Sequence, residues 1–184
     1  MRMSGIKNLA AALSLALLLI PSAAHADGGG TLGPAIGGEA GTSIFAQSGR
    51  FGLGFGGSNF ASGISGKLFL GSALALQGSV GFGYYYGGLD ADLDILIEMP
   101  RLYSNQYFAI NWNFGAGAML GLGGFGTGIG IEGIAGLSFQ LRPYPIELTI
   151  EVRPALAFGD WGHYWGGFGG GFDIFEGGAV RWFF

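Results

Sequence analysis

The sequence predicts an all-β chain: an eight-stranded antiparallel up-and-down transmembrane β-barrel, preceded by a cleaved signal peptide. Three observations predict it. The chain is strongly apolar, with mean hydropathy +0.46, yet no apolar stretch after Ile20 reaches the roughly 20 residues of a spanning helix. From Arg50 onward, apolar and polar residues alternate with period two, as in a strand with one apolar face. Glycine-rich and proline-rich turns cut this pattern into eight segments, an even number. Apart from the helix, a closed barrel is the fold that satisfies every backbone group inside a bilayer.

The composition agrees. The 184 residues include 40 Gly and 16 Phe, and 11% are charged. Soluble domains carry about 25% charged residues and about 7% Gly. Disorder is argued against by the 15% aromatic content. The absence of cysteine excludes disulfides, zinc thiolate sites and cysteine nucleophiles.

Residues 1–26 read as a secretory signal peptide. Arg2 and Lys7 precede an apolar run from Leu9 to Ile20, Pro21 ends the run, and Ala24-His25-Ala26 is an A-x-A cleavage site. The run is too short for a membrane anchor. No Cys follows the site, so it is not a lipoprotein signal. Losing Arg2 and Lys7 takes the net charge from −4 to −6, which argues against nucleic acid as a partner. Residues 27–48 are rich in Gly, Ala, Ser and Thr and read as a flexible segment. A short plug or extra strand at Thr42 to Ala46 is the alternative. Residues 49–184 form the barrel.

The strands follow in order. Arg50 to Gly56 and Ser62 to Leu70 form a short first pair, with Phe51, Leu53, Phe55, Ile64 and Leu68 outward and Arg50 and Lys67 inward. Ala73 to Tyr86 turns Leu74, Leu76, Val80, Phe82, Tyr84 and Tyr86 outward. Leu89 to Glu98 places Leu93, Ile95 and Ile97 outward, and Asp90, Asp92, Asp94, Leu96 and Glu98 inward. Tyr107 to Leu120 has Phe108, Ile110, Trp112 and Phe114 outward, opposite Asn111 and Asn113. Phe125 to Arg142 turns Phe125, Ile129, Ile131, Leu137, Phe139 and Leu141 outward, with Glu132, Ser138, Gln140 and Arg142 inward. The pattern is clearest in Ile146 to Phe158. Leu148, Ile150 and Val152 lie on an uncharged face, and Glu147, Glu151 and Arg153 on the other. Pro154 should cost a ladder bond or mark a bulge. In Phe172 to Phe184, Val180, Trp182 and Phe184 point out and Arg181 points in. Glu176 falls on the outward face unless a bulge near Gly177-Gly178 shifts the register.

Gly71-Ser72, Met99–Gln106 and Pro143–Pro145 are expected as periplasmic turns. Gly57–Ala61, Gly87-Gly88, Gly121–Gly124 and Gly159–Gly171 are expected as outer loops. An eight-stranded lumen is only wide enough for side chains to fill it, so inward glycines make room for the inward charges.

The ending Val180-Arg181-Trp182-Phe183-Phe184 resembles the signal read by the outer-membrane assembly machinery, with Val180, Trp182 and Phe184 as its apolar positions. From about Gly52 to Phe184 the chain resembles small eight-stranded outer-membrane β-barrels of uncharacterised function, of the kind found in spirochaetes. It is more distantly similar to the membrane domain of outer-membrane protein A. The resemblance is one of pattern, carried by strands such as Leu89-Asp90-Ala91-Asp92-Leu93 and Glu147 to Arg153. It implies a bacterial outer-membrane location, contact with outer-membrane lipid and lipopolysaccharide, and surface binding of an extracellular ligand. It implies no enzyme activity.

The inward charges Arg50, Lys67, Asp90, Asp92, Asp94, Glu98, Glu132, Arg142, Glu147, Glu151, Arg153 and Arg181, with Asp173, are expected to pair, because isolated charges in a dry lumen cost several kcal/mol each. Such a network would close the barrel and fix its register. The alternative is a porin-like, narrow, cation-preferring pore or a route for small solutes, since acids outnumber bases. Asp90, Asp92 and Asp94 lack the tight loop that converges ligands on Ca²⁺, so no metal or cofactor is expected. No catalytic residue is expected either. His163 is the single His after residue 26, and its loop holds Asp160 but no Ser or Thr. Trp161, His163, Tyr164 and Trp165 of that loop are the surface-binding candidates. The glycine-rich stretches lack the Gly-Lys-Ser/Thr of a phosphate loop.

Overall fold

A computed structural model describes residues 43–46, 49–82, 88–123, 126–142, 144–159 and 170–184. Among them run β1 (Phe51–Ser58), β2 (Ser62–Phe69), β3 (Leu74–Phe82), β4 (Leu89–Glu98), β5 (Tyr103–Ser104), β6 (Phe108–Gly123), β7 (Gly126–Leu141), β8 (Ile146–Gly159) and β9 (Gly170–Phe183). All pairings are antiparallel. β1 joins both β2 and β9, and β4 joins both β3 and β6, so eight strands close a ring. The all-β, eight-stranded antiparallel barrel expected from the sequence is the fold. β5 is the addition: two residues inside the turn expected at Met99–Gln106, paired to the edge of β6 that β4 occupies further up. No helix among the described residues is long and apolar enough to cross a membrane.

Alternation builds the wall. Along β4, Asp90, Asp92, Asp94, Leu96 and Glu98 are buried while Leu89, Leu93, Ile95 and Ile97 are exposed. Along β8, Glu147, Thr149, Glu151 and Arg153 are buried while Leu148, Ile150 and Leu156 are exposed. Successive side chains leave a strand on opposite faces, so a period-two sequence gives one face to the lumen and one to the outside.

The ring is staggered. Direct partners lead from Gly52 through Lys67, Gln77, Asp94, Gly117, Glu132 and Ala155 to Asp173. Gly52 itself pairs with Phe183, so one circuit climbs the ten residues between Asp173 and Phe183. Ten steps of about 3.3 Å against eight strand spacings of about 4.8 Å tilt the strands by about 40°.

Several local expectations change. Pro154 leaves Gly133 and Ile134 without ladder partners on β8, but the register on either side is unchanged, so there is no bulge. The β8–β9 ladder is also unbroken from Ile146↔Trp182 to Phe158↔Gly170. Glu176 therefore faces outward, opposite Val152, where Asn59 N donates to its carbonyl oxygen at 3.1 Å. The Gly71-Ser72 hairpin is a longer turn, Leu70 to Ala73, closed by Leu70 N donating to Leu74 O at 2.9 Å. The loop expected at Gly57–Ala61 shrinks to Asn59–Ala61, because β1 continues to Ser58. Gly57 permits this with φ +130; a Cβ there would stand 1.8 Å from the Ala61 carbonyl oxygen. Gly54 lets β1 and β9 close, since a Cβ on it would stand 1.8 Å from the Val180 carbonyl oxygen.

The signal peptide, Tyr84, Tyr86, Phe125 and the loop carrying Trp161, His163, Tyr164 and Trp165 lie outside the described residues. Below, the proximal end of the barrel is where β1 begins and β9 ends; the distal end is opposite.

Candidate functional site: the filled lumen

The lumen is stacked in four layers. The proximal layer is an apolar stopper. Phe69, Ala75, Leu96, Ile134 and Phe183 point inward from the wall, and Ser43 to Ala46 enters the mouth beneath them. Phe45 stacks on Phe183 at 4.8 Å, and Phe69 meets Phe183 at 5.7 Å. The plug is tied by polar bonds. Ile44 N donates to Gln140 Oε1 at 2.9 Å, and Gln140 Nε2 donates to Ser43 Oγ at 2.6 Å. Of residues 27–48, expected to be flexible, the described part is thus a plug and not an extra strand.

The next layer is balanced: two cations, two carboxylates. Lys67 Nζ lies 2.7 Å from Glu98 Oε1 and 3.2 Å from Glu147 Oε1. Arg181 Nη1 lies 3.3 Å from the same Glu147 oxygen, and its Nη2 donates to Ser65 Oγ at 2.8 Å. Gln140 Nε2 donates to Glu147 Oε2 at 2.8 Å, which couples this layer to the plug.

The third layer surrounds Arg153. Its guanidinium lies 2.8 Å from Asp94 Oδ2, 2.9 Å from Glu151 Oε2, 3.1 Å from Glu132 Oε1 and 3.7 Å from Asp92 Oδ1. Gln77 Nε2 donates to Glu151 Oε1 at 2.8 Å. Asp92 accepts from Ser79 N at 3.0 Å and also from the Ser79 hydroxyl. Oxygens of Asp92, Asp94 and Glu132 lie within 4.8 Å of one another, close enough to share a cation. In this fold the shared cation is the Arg153 side chain, whose planar fork suits several carboxylates at once.

The distal layer is apolar again. Phe60 and Ala61 fold inward from the β1–β2 turn onto Met119, Ala155, Ala157 and Phe175. Phe60 meets Phe175 at 6.0 Å, and Phe60 N donates to Ser58 Oγ at 3.1 Å, holding the turn inward.

Nine of the twelve residues expected in the charge network lie in the two charged layers: Lys67, Asp92, Asp94, Glu98, Glu132, Glu147, Glu151, Arg153 and Arg181. Asp90 is buried on the same face, but its Oδ2 has no hydrogen-bond partner among the described residues. Arg50 stands at the proximal mouth, 5.0 Å above the Phe45 ring. Arg142 is a correction: it is exposed, just past the end of β7, and donates to Ser104 Oγ at 2.5 Å. Asp173, expected inward, is exposed near the distal end of β9 and accepts from Ile174 N. Gln77, Gln140, Ser43, Ser65 and Ser79 are network members that charge counting overlooks. Val180, Trp182 and Phe184, the apolar positions of the terminal motif, are all exposed on the outer face.

Comparison with protein families, curated proteins and solved structures finds no match for this chain.

Proposed function

We propose that this protein is an integral β-barrel of a bacterial outer membrane. In this proposal it is exported by the signal peptide 1–26 and serves a structural or surface-interaction role in the cell envelope, with its lumen closed. The observation that carries the proposal is the outer belt. Phe55, Phe82, Leu93, Ile95, Ile129, Ile131, Ile150 and Phe172 all expose more than half of their surface, at 75, 78, 62, 55, 57, 56, 62 and 62%. A monomeric soluble protein rarely exposes a contiguous apolar patch above a few hundred Å². A belt around a sealed cylinder with charges inside is the arrangement that hydrocarbon favours.

The two apolar stoppers weigh against the porin-like alternative. Charges between them are committed to one another, and aromatic rings fill both approaches. The proposed partners are outer-membrane lipid and lipopolysaccharide, the assembly machinery that would read Val180, Trp182 and Phe184, and an extracellular ligand at the distal loops. No catalytic step and no nucleic acid belongs to this proposal.

The test is extraction and gel migration. A folded outer-membrane barrel should need detergent and should migrate differently before and after boiling. A chain that is monomeric in buffer without detergent would overturn the proposal. Planar-bilayer recordings check the closed lumen: reproducible channels from the unaltered protein would restore the pore.

A further inference from the structure

The strands are twice as long on one side of the barrel as on the other. β1 and β2 have 8 residues each, and β6 and β7, which stand opposite them in the ring, have 16. The apolar belt follows the strands. On β6 it runs from Trp112 through Phe114 and Leu120 to Leu122, about 25 Å along the axis at the tilt of about 40°. That equals the band of about 25 Å usual for a barrel in an outer membrane. On β1 it runs only from Phe51 to Phe55, and on β2 from Leu68 to Ile64, about 10 Å in each case.

Distal to the short belt, the outer face turns polar or small. Ser62, Gly57 and Gly178 are direct partners in one outward row, and Glu176 is the next outward residue on β9. Ser62 and Glu176 are both exposed. The Asn59–Ala61 turn closes the wall at this level, with Asn59 N bonded to the Glu176 carbonyl oxygen. Counted along the ten-residue stagger, Glu176 stands at the height of Ala118, within the apolar face of β6. The proximal rim, by contrast, is level. By the same count Trp112 and Trp182 share one height, and both are exposed, by 37 and 44%. Tryptophan marks the boundary between hydrocarbon and headgroups, so the cylinder stands upright on its proximal end and the slant is all distal. In a bilayer of uniform thickness the Glu176 carboxylate would then face hydrocarbon near mid-depth. That is costly, and the cost falls where the bilayer thins and water follows. A short apolar face is itself met by thinning.

We propose that the bilayer is thinned beside β1, β2 and the distal part of β9, and that phospholipids cross between the leaflets along this notch. The inference rests on the membrane location proposed above. The groups that make the notch also serve a passing headgroup. Ser62 and Glu176 offer polar contacts partway across, and an ammonium-bearing headgroup suits the Glu176 carboxylate. Gly57 and Gly178 between them present no side chain to obstruct its path. The acyl chains remain in lipid, no bond is made or broken, and the lumen stays closed. The substrate class is the zwitterionic diacyl phospholipid.

The test places the full chain, without its signal peptide, in phosphatidylcholine vesicles that carry a trace of phosphatidylcholine labelled with a nitrobenzoxadiazole fluorophore on one acyl chain. Dithionite bleaches the outer leaflet, and label in the inner leaflet is lost only as it crosses. A soluble nitrobenzoxadiazole dye sealed inside should stay bright, which separates lipid crossing from leakage. The parent should show a second bleaching phase that protein-free vesicles lack. S62L with E176L adds one apolar position to β2 and one to β9, about 5 Å of belt, and should slow that phase about tenfold. G71A, in the β2–β3 turn with nothing within 4 Å, should leave it unchanged. Gel migration before and after boiling checks that each variant folds. A second measurement reads the notch directly, in a chain without native cysteines. With a membrane-impermeant maleimide on both faces of the vesicle, E176C should react and A118C, at the same height, should not. No second phase in the parent, an equal phase in the folded double variant, bleaching of the sealed dye, or a protected E176C would overturn the inference. If the protein inserts and only the outer leaflet bleaches, this inference alone fails. If it does not insert at all, the membrane proposal fails with it.

Discussion

Replacing Arg153 by Met removes the one cation that, among the described residues, touches Asp92, Asp94, Glu132 and Glu151. Its contacts run from 2.8 to 3.7 Å, and the side chain is 2% exposed. Methionine matches the length of the stem, so packing changes little and the loss is mainly electrostatic. Removing one partner of a buried ion pair costs about 3–5 kcal/mol, because the remaining charge is buried without compensation. Four carboxyl groups lose their cation here, which favours the upper end, although Glu151 keeps Gln77 and Asp92 keeps Ser79. The assay is urea unfolding in lipid vesicles, read by gel migration without boiling. With a slope of about 1–3 kcal/mol per molar urea, the midpoint should fall by about 1 M or more. Adding Asp94→Asn should recover part of the loss, since it removes one unpaired acid. A midpoint within about 0.3 M of the parent at unchanged slope would refute the reasoning. It would mean that water solvates this layer and that the charges were never dry.

Three further outcomes test other parts of the fold. Ile150→Arg places a charge on the outer belt and should cost about 2–4 kcal/mol when folding is measured in bilayers; no loss there would place that face in water. Phe45→Ala empties the proximal mouth and should cost about 3–5 kcal/mol. In that background a cysteine at Thr149, a buried inward position in a chain without native cysteines, should become reactive to a water-soluble thiol reagent, and unchanged protection would show that the plug does not seal. Gly54→Val drives a side chain into the Val180 carbonyl and should prevent β1 from closing on β9, so the compact gel form disappears. Gly71→Ala, with nothing within 4 Å, should fold normally.

Much of the fold was legible because parity is legible. Asp90, Asp92 and Asp94 alternate with apolar residues, and no other secondary structure uses that period. Parity gives a face but not a height. Arg142 and Asp173 both share the parity of inward residues on their own strands, yet Arg142 lies past the proximal end of β7. Asp173 lies beyond Ser58↔Gly177, the distal limit of the β1–β9 ladder. The ten-residue stagger decides such heights, and it emerges only after all eight pairings are known. The stoppers were hidden for a different reason. Phe is the natural residue for the lipid side, so Phe69, Phe175 and Phe183 attract no notice as lumen residues. Parity alone could have found Phe183, which alternates with outward Trp182 and Phe184. Glu151 lies on the strand of Arg153, and Glu147 lies opposite Arg181 on the neighbouring strand. The partners that cross the lumen, Asp94 to Arg153 and Glu147 to Lys67, were not legible, because they come from strands distant in the ring.

That distance explains why an interior of this kind is charged. Burial of the outer apolar belt cannot select a register, and of the lumen only the two end layers are apolar. A shift by two residues keeps every face correct and leaves the belt unchanged. The lumen contacts do not survive such a shift. Arg153 meets Asp94 across 59 residues of sequence, Lys67 meets Glu147 across 80, and Arg181 meets Ser65 across 116. Moving β8 by two positions against β7 and β9 would carry Arg153 to the level of Glu151 or Ala155, and Glu147 away from both Lys67 and Arg181. Each slipped register buries unpaired charge at several kcal/mol per group. The network stabilises the native barrel modestly relative to an apolar filling and destabilises its slipped alternatives strongly. On this reasoning a neutral, well-packed lumen would give a barrel of similar stability that folds to more than one register.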